Sequence, residues 1–111
     1  LFKRIAMDIG EAVAFLYNGD RVYREAWKDD NPYTPTFLYL VQGSVFNVNR
    51  KPLLGIFERG EEIRYRSHID AMKILPNKEL VAWYYEFHQE DITARDWEVY
   101  NSNKEEQPCL L

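Results

Sequence analysis

The stretch Asp8-Ile9-Gly10-Glu11-Ala12-Val13-Ala14-Phe15-Leu16-Tyr17-Asn18-Gly19-Asp20-Arg21-Val22-Tyr23-Arg24 decides the fold class, because within it the apolar period changes from helical to alternating. Asp8 and Glu11 have the spacing of a capping box, in which each side chain accepts from the other residue's backbone N–H. Ile9, Ala12, Val13 and Leu16 then recur every three or four residues, so they share one helical face, and Asn18-Gly19-Asp20 is a stop signal. The pattern predicts a short amphipathic helix over 9–18. Directly after it, Arg21-Val22-Tyr23-Arg24 alternates polar with apolar residues, the period of a strand. One helix leading at once into strands points to an α+β domain.

Working outward, the rest of the chain reads as β structure. Glu25-Ala26-Trp27 leads into a charged, Pro-containing loop from Lys28 to Pro35. Thr36 to Val41 is β-branched and aromatic at successive positions, which predicts a central strand covered on both faces. Gln42-Gly43-Ser44 ends that strand, and Val45 to Leu54, interrupted by Arg50-Lys51-Pro52, reads as a long ordered loop rather than a hairpin. After a turn at Glu58-Arg59-Gly60-Glu61, alternation resumes at Ile63 and predicts one strand through to Ile74. Pro76-Asn77-Lys78 is a turn signal that joins it in a hairpin to Leu80–Tyr85. Gln89 to Arg95 suits a single helical turn, and Trp97-Glu98-Val99-Tyr100 a closing strand. The expectation is a single compact domain over 1–100, a short N-terminal helix packed on a twisted, mostly antiparallel sheet, followed by a polar tail over 101–111. The strand edges of such a sheet need covering, and oligomerisation is one way to cover them.

Composition narrows the function classes. The 111 residues suffice for one core. Fourteen Lys and Arg against eighteen Asp and Glu give a net charge of -4, which argues against broad binding to duplex nucleic acid or to an anionic membrane. No apolar run reaches the roughly 18 residues of a membrane span and no signal-peptide pattern appears, so the expectation is a soluble, cytoplasmic protein. The chain starts at Leu1, which enters no argument. The single cysteine, Cys109, lies in the polar tail and is given no role. Aromatic residues make up 15% of the chain, more than a core of this size readily buries, and the surplus fits an oligomer interface or a binding pocket.

The motifs of common enzyme classes are absent: there is no HExxH, CxxC, P-loop or GxSxG. His68, Asp70, His88 and Asp91 offer two imidazoles and two carboxylates to a divalent ion, the only basis for an alternative reading as a metal-dependent cyclic-nucleotide hydrolase. Cations lie next to aromatic rings in three places: Arg21, Tyr23 and Arg24 with Trp27, Phe46 with Arg50, and Arg64, Tyr65 and Arg66 before His68. A ligand with purine rings and a pyrophosphate needs both groups, flat faces for stacking and Arg forks for phosphate. The same Arg residues can equally pair with the surplus carboxylates on a wet strand face. A protein-interaction module that uses the exposed aromatics to inhibit a host factor is a further alternative.

An ordered series of residues resembles a known family. Asp8-Ile9-Gly10-Glu11-Ala12, Gly19, Val22, Arg24-Glu25-Ala26-Trp27, Phe37-Leu38, Val41, Gly43-Ser44-Val45-Phe46, Val48-Asn49-Arg50-Lys51-Pro52-Leu53, Tyr65, His68-Ile69-Asp70, Trp83, Gln89-Glu90-Asp91 and Ala94-Arg95-Asp96-Trp97-Glu98 together look like the small phage and prophage proteins of the second Thoeris anti-defence type. The segment after Trp83 departs from the family's pattern: it lacks a Pro, and His88 stands where a Ser is usual. The resemblance implies a sponge, a homotetramer that binds nucleotide second messengers in pockets between subunits and keeps them from a defence effector without cleaving them. The implied messenger is glycocyclic ADP-ribose, with cyclic oligonucleotides in some relatives. On this reading no catalytic residue, metal or cofactor is expected. Trp27, Phe46 and Tyr65 stack on adenine and ribose, Arg24 and Arg50 take the pyrophosphate, and Gly43 and Ser44 offer backbone N–H groups to phosphate oxygens. Asn77, Gln89 and Asp91 read ribose hydroxyls or base edges.

Overall fold

A computed structural model describes residues 7–29 and 35–101. The element order is α1 (Ile9–Tyr17), β1 (Val22–Arg24), a 3-10 turn (Glu25–Asp29), β2 (Phe37–Val41), β3 (Ser44–Asn47), β4 (Glu62–Tyr65), β5 (His68–Ile74), β6 (Leu80–Tyr84), α2 (Gln89–Thr93) and β7 (Trp97–Val99). The capping box that starts α1 is present, with Glu11 N–H donating to Asp8 Oδ1 at 2.9 Å and Asp8 N–H to Glu11 Oε1 at 3.1 Å. Gly19, at φ +93°, makes the turn after the helix, where a side chain would be strained.

Five strands form an antiparallel sheet in the order β6-β5-β2-β1-β7. Registers place Val22, Leu38, Ala71 and Trp83 in one row across four strands. In a pleated sheet such a row points to one face. Val22, Leu38 and Ala71 are fully buried with Ala12 and Leu16 of α1 and with Trp97, while Trp83 at the row's end is 40% exposed. The architecture is the expected α+β one, a helix on an antiparallel sheet. At one edge, Met7 forms an antiparallel bridge with Trp97.

Three local expectations change. Val45 to Asn47 is not loop: β3 pairs with β4 as a separate two-stranded sheet, Ser44 opposite Tyr65 and Phe46 opposite Ile63. The reading from Ile63 to Ile74 as one strand also fails, because the chain leaves β4 at Arg66-Ser67 and joins the main sheet as β5. Finally, β2 is central in pairing, yet only Leu38 is fully buried, its neighbours Phe37, Tyr39, Leu40 and Val41 being half-buried. The face away from α1 is an aromatic layer in which Phe37 stacks on Tyr100 at 4.5 Å and Tyr100 meets Tyr23 edge-on at 6.1 Å. Of the loop expected over 28–35, residues 30–34 lie outside the described residues, as do Leu1 and the tail after Asn101 with Cys109.

The two sheets meet at Gly43. A Cβ there would lie 2.8 Å from the Tyr65 carbonyl oxygen and 3.2 Å from Ser67 N, both backbone atoms that cannot swing away. Gly43→Ala is therefore expected to lower the urea midpoint by an amount corresponding to ~1–3 kcal/mol. Gly10→Ala, whose Cβ meets nothing closer than Asp8 Oδ1 at 3.4 Å, leaves the midpoint unchanged or slightly raised. Equal effects of the two substitutions would mean that the close approach at Gly43 is not a constraint.

Candidate functional site

Two groups of the sequence-selected residues are brought together by the fold, and they do different work. Arg24, at the end of β1, points its guanidinium at two carboxylates. Its Nε–H donates to Asp96 Oδ1 at 2.9 Å and its Nη1–H to Asp91 Oδ1 at 3.1 Å. Asp91, only 2% exposed, also accepts from Tyr85 Oη–H at 2.5 Å and from His88 N–H at 2.9 Å. Trp97 Nε1–H donates to the Asp91 carbonyl at 3.0 Å. Trp27 packs beside this network, edge-on to Trp97 at 5.5 Å and to Tyr85 at 6.0 Å.

The electrostatics follow from that geometry. Burial works to lower the pKa of Arg24, and the Asp96 and Asp91 carboxylates outweigh it, so the guanidinium is held charged. Burial would raise the Asp96 carboxyl, yet the Arg24 hydrogen bond and the Ala26 N–H bring it below the usual carboxylate range. The Tyr85 hydroxyl is raised well above the usual tyrosine value, first by burial and then by its bond to Asp91. Arg24, Asp91 and Trp27 are thus turned inward, where they tie β1, α2 and β7 together, instead of presenting a free fork, carboxylate or ring to a ligand. Tyr85 and Asp96 complete the set without having been singled out from the sequence. The motif read there anchors on Trp83, whereas the aromatic ring beside Asp91 is that of Tyr85. Gln89 is exposed at the start of α2, with its carbonyl accepting from Thr93 Oγ1 at 3.2 Å.

The second group lies on the β3–β4 sheet. Ser44, Phe46, Ile63 and Tyr65 share one of its faces by register. The segment beyond β3 is ordered by Asn47 Nδ2–H donating to the Gly60 carbonyl at 2.9 Å, Gly60 N–H to the Val48 carbonyl at 2.8 Å and Arg59 Nη1–H to the Asn49 carbonyl at 3.1 Å. Val48 is buried beneath it. A cleft of about 640 Å³ opens there, lined by residues 46–53, with Phe46, Arg50 and Lys51 among its walls. Among the described residues, neither Arg50 nor Lys51 has an ion-pair partner. Gly43 does not offer its N–H to this cleft, because that N–H donates to Ser67 Oγ at 3.0 Å.

A second cleft, about 480 Å³, joins the two sheets and is lined by Arg64, Tyr65, Arg66, Ser67, His68 and Tyr84. His68 stacks on Tyr84 at 5.7 Å, meets Tyr65 edge-on at 5.2 Å and lies 3.1 Å from Asp70 Oδ1. Tyr84 was not singled out because its place depends on register: Asp70 opposes Tyr84, which sets His68 diagonally beside it on one face. Asn77 stands apart at the β5–β6 turn, its Oδ1 accepting from Glu79 N–H at 2.9 Å, which is ordinary turn chemistry.

The four groups considered for a metal do not converge. His68 pairs with Asp70 on β5, and Asp91 is engaged with Arg24 and Tyr85. No cluster of three or more metal-binding side chains occurs among the described residues.

The class the structure defines is a small α+β domain, a helix on an antiparallel sheet, with exposed cationic and aromatic clefts. Residues 7–100 match the family model of the Tad2-like domain, described as Thoeris anti-defense 2-like, and the chain belongs to that family. The family assigns it a role in Thoeris anti-defence. No curated protein matches the chain. No helix among the described residues is long and apolar enough to cross a membrane.

The buried network gives the protein a pH window. A carboxyl depressed in the folded state, as Asp96 is, stabilises the fold above the unfolded-state value of roughly 4 and loses that contribution as pH falls through the lower folded value. A hydroxyl raised in the folded state, as Tyr85 is, stabilises the fold below roughly pH 10 and loses its contribution as pH rises toward the folded value. Tyr85→Phe is expected to flatten the alkaline arm of a plot of urea stability against pH and leave the acid arm in place. Asp91→Ala leaves Arg24 and Tyr85 without their buried partner and costs ~3–5 kcal/mol at neutral pH.

Proposed function

We propose that this protein counters Thoeris defence by binding a nucleotide second messenger of the glycocyclic ADP-ribose type and holding it intact, away from its effector. The observation that carries this reading is the cleft at Phe46, Arg50 and Lys51. An exposed ring stands there beside two cations that no carboxylate of the described residues neutralises. A cyclic ADP-ribose ligand presents flat base faces and a pyrophosphate, so it takes a stacking surface and a pair of positive donors together. The cleft's volume of about 640 Å³ is within the range of roughly 300–1,000 Å³ usual for small-molecule sites. The cleft at Arg64, Tyr65, Arg66, His68 and Tyr84 repeats the same pairing of chemistry.

What these clefts offer supports retention of a ligand. Their walls carry cations, rings and amides, groups that bind phosphate and bases, and the second cleft adds the Ser67 hydroxyl and the His68 imidazole. The reading includes a homotetramer with ligand held between subunits. An assembly that preforms the pocket lowers the ordering cost of binding, and a sponge depletes its messenger only when it outnumbers the messenger and binds it more tightly than the effector does.

The test is to mix purified protein with glycocyclic ADP-ribose, ultrafilter, heat the retained fraction and chromatograph both fractions. Ligand retained and recovered unaltered supports sequestration, altered product means an enzyme, and free passage overturns this messenger class. Arg50→Ala is expected to weaken binding about 10- to 100-fold, the equivalent of one charge-assisted phosphate contact. Because the Arg50 side chain has no ion-pair partner among the described residues, the thermal midpoint should not move. Unchanged affinity would remove Arg50 from the site.

A further inference from the structure

A ring and two cations hold a nucleotide by its base face and its phosphates, and neither contact tells one purine from another. Stacking accepts any base, because every base has a π-face, and a cation meets the same pyrophosphate whatever base is attached. Choice of base comes from side chains that meet its edge with the right order of donors and acceptors. The three residues expected from the sequence to do this do not line the cleft at Phe46. Asp91 is buried on Arg24 and Tyr85, Asn77 closes the β5–β6 turn, and Gln89 starts α2. Inside the cleft, Asn49 is placed for that task. Of the two amides on its walls, that of Asn47 is already committed to the Gly60 carbonyl at 2.9 Å. The amide of Asn49 is exposed, and no hydrogen bond among the described residues engages it. Its backbone is nevertheless fixed. The Asn49 carbonyl accepts from Arg59 Nη1–H at 3.1 Å, and the preceding residue, Val48, donates to the Glu61 carbonyl at 2.9 Å and accepts from Gly60 N–H at 2.8 Å. A short side chain on a held backbone loses little conformational freedom when it binds.

We propose that Asn49 sets the base specificity of this cleft and selects adenine. Its Oδ1 accepts from the exocyclic N6–H of the base and its Nδ2–H donates to N7, the donor–acceptor pair that an amide matches on the adenine edge. Phe46 carries the face of the same base, and Arg50 and Lys51 take the pyrophosphate. Hypoxanthine and guanine present two acceptors, O6 and N7, on that edge. Against them the Asn49 oxygen faces a lone pair, and one of the two bonds is lost. The assignment rests on the messenger reading, because it names how the same cleft chooses its base.

The test compares, on the full chain, glycocyclic ADP-ribose with its deaminated counterpart, in which hypoxanthine replaces adenine and the pyrophosphate is unchanged. The readout is the ratio of the two affinities, since loss of folded protein or of a phosphate contact changes both alike. The parent is expected to hold the adenine ligand about 5- to 20-fold more tightly, the lower part of what one bidentate contact between an amide and a base gives, because the cleft is open to water. Asn49→Ala brings the ratio to about one by weakening the adenine ligand. Asn49→Lys, which offers donors alone, inverts the ratio in favour of hypoxanthine. Gln89→Ala leaves it in place. A parent that holds both ligands equally, a preference that survives Asn49→Ala, or one abolished by Gln89→Ala would overturn the role of Asn49 and leave the messenger reading standing. Retention of neither ligand by the parent would overturn both.

Discussion

The buried carboxylate of Asp91 is the constraint around which the rest of the domain is arranged. A charge that is 2% exposed is tolerated only when donors surround it, and here the donors come from three parts of the chain: Arg24 from β1, Tyr85 from the end of β6 and the His88 backbone before α2. Its own carbonyl holds Trp97 of β7. One residue therefore fixes how the last third of the chain docks onto the first. Trp27 packs edge-on against Trp97 and Tyr85 beside this network.

That arrangement separates the groups that hold the fold from those left on its surface. The charged and aromatic groups that tie the helix-and-sheet body together are inward-facing and neutralised. Those on the β3–β4 sheet and at its junction with the body are outward-facing, with cations that meet no carboxylate among the described residues. The small sheet contributes Val48 to the buried set and little else, so its faces are available for function. At its root the two connecting segments cross at Gly43, where a side chain would meet the backbone of Tyr65 and Ser67. A rigid root with an exposed, cationic face is what a preorganised binding surface requires.

The large exposed side chains have the same logic. Few of the aromatic residues that are conspicuous in the composition enter the core, which is made of Ala12, Leu16, Val22, Leu38, Ala71 and Trp97. Trp27, Tyr85 and Phe87 pack against that core, and many of the others form an aromatic layer on the open side of the sheet, line the two clefts, or stand along β6.

By itself the sequence determined the local elements whose signals are contiguous. The capping box and apolar face at 8–16, the Asn77 turn, the helical turn at Gln89 and the strand at Trp97 each depend on residues within a few positions of one another, and each is present. The ordered series of residues also carried the family. Tertiary structure alone decided which side of each element its charged residues would use. Arg24 and Arg50 look alike in sequence, a cation near an aromatic ring, but Arg24 meets Asp91 and Asp96 across 67 and 72 residues of chain and Arg50 meets no carboxylate among those described. The segment that forms β3 reads as loop because its alternation is short and its partner β4 lies beyond a long insertion. Strand pairing is a contact between segments, and no local pattern states which segment will be the partner.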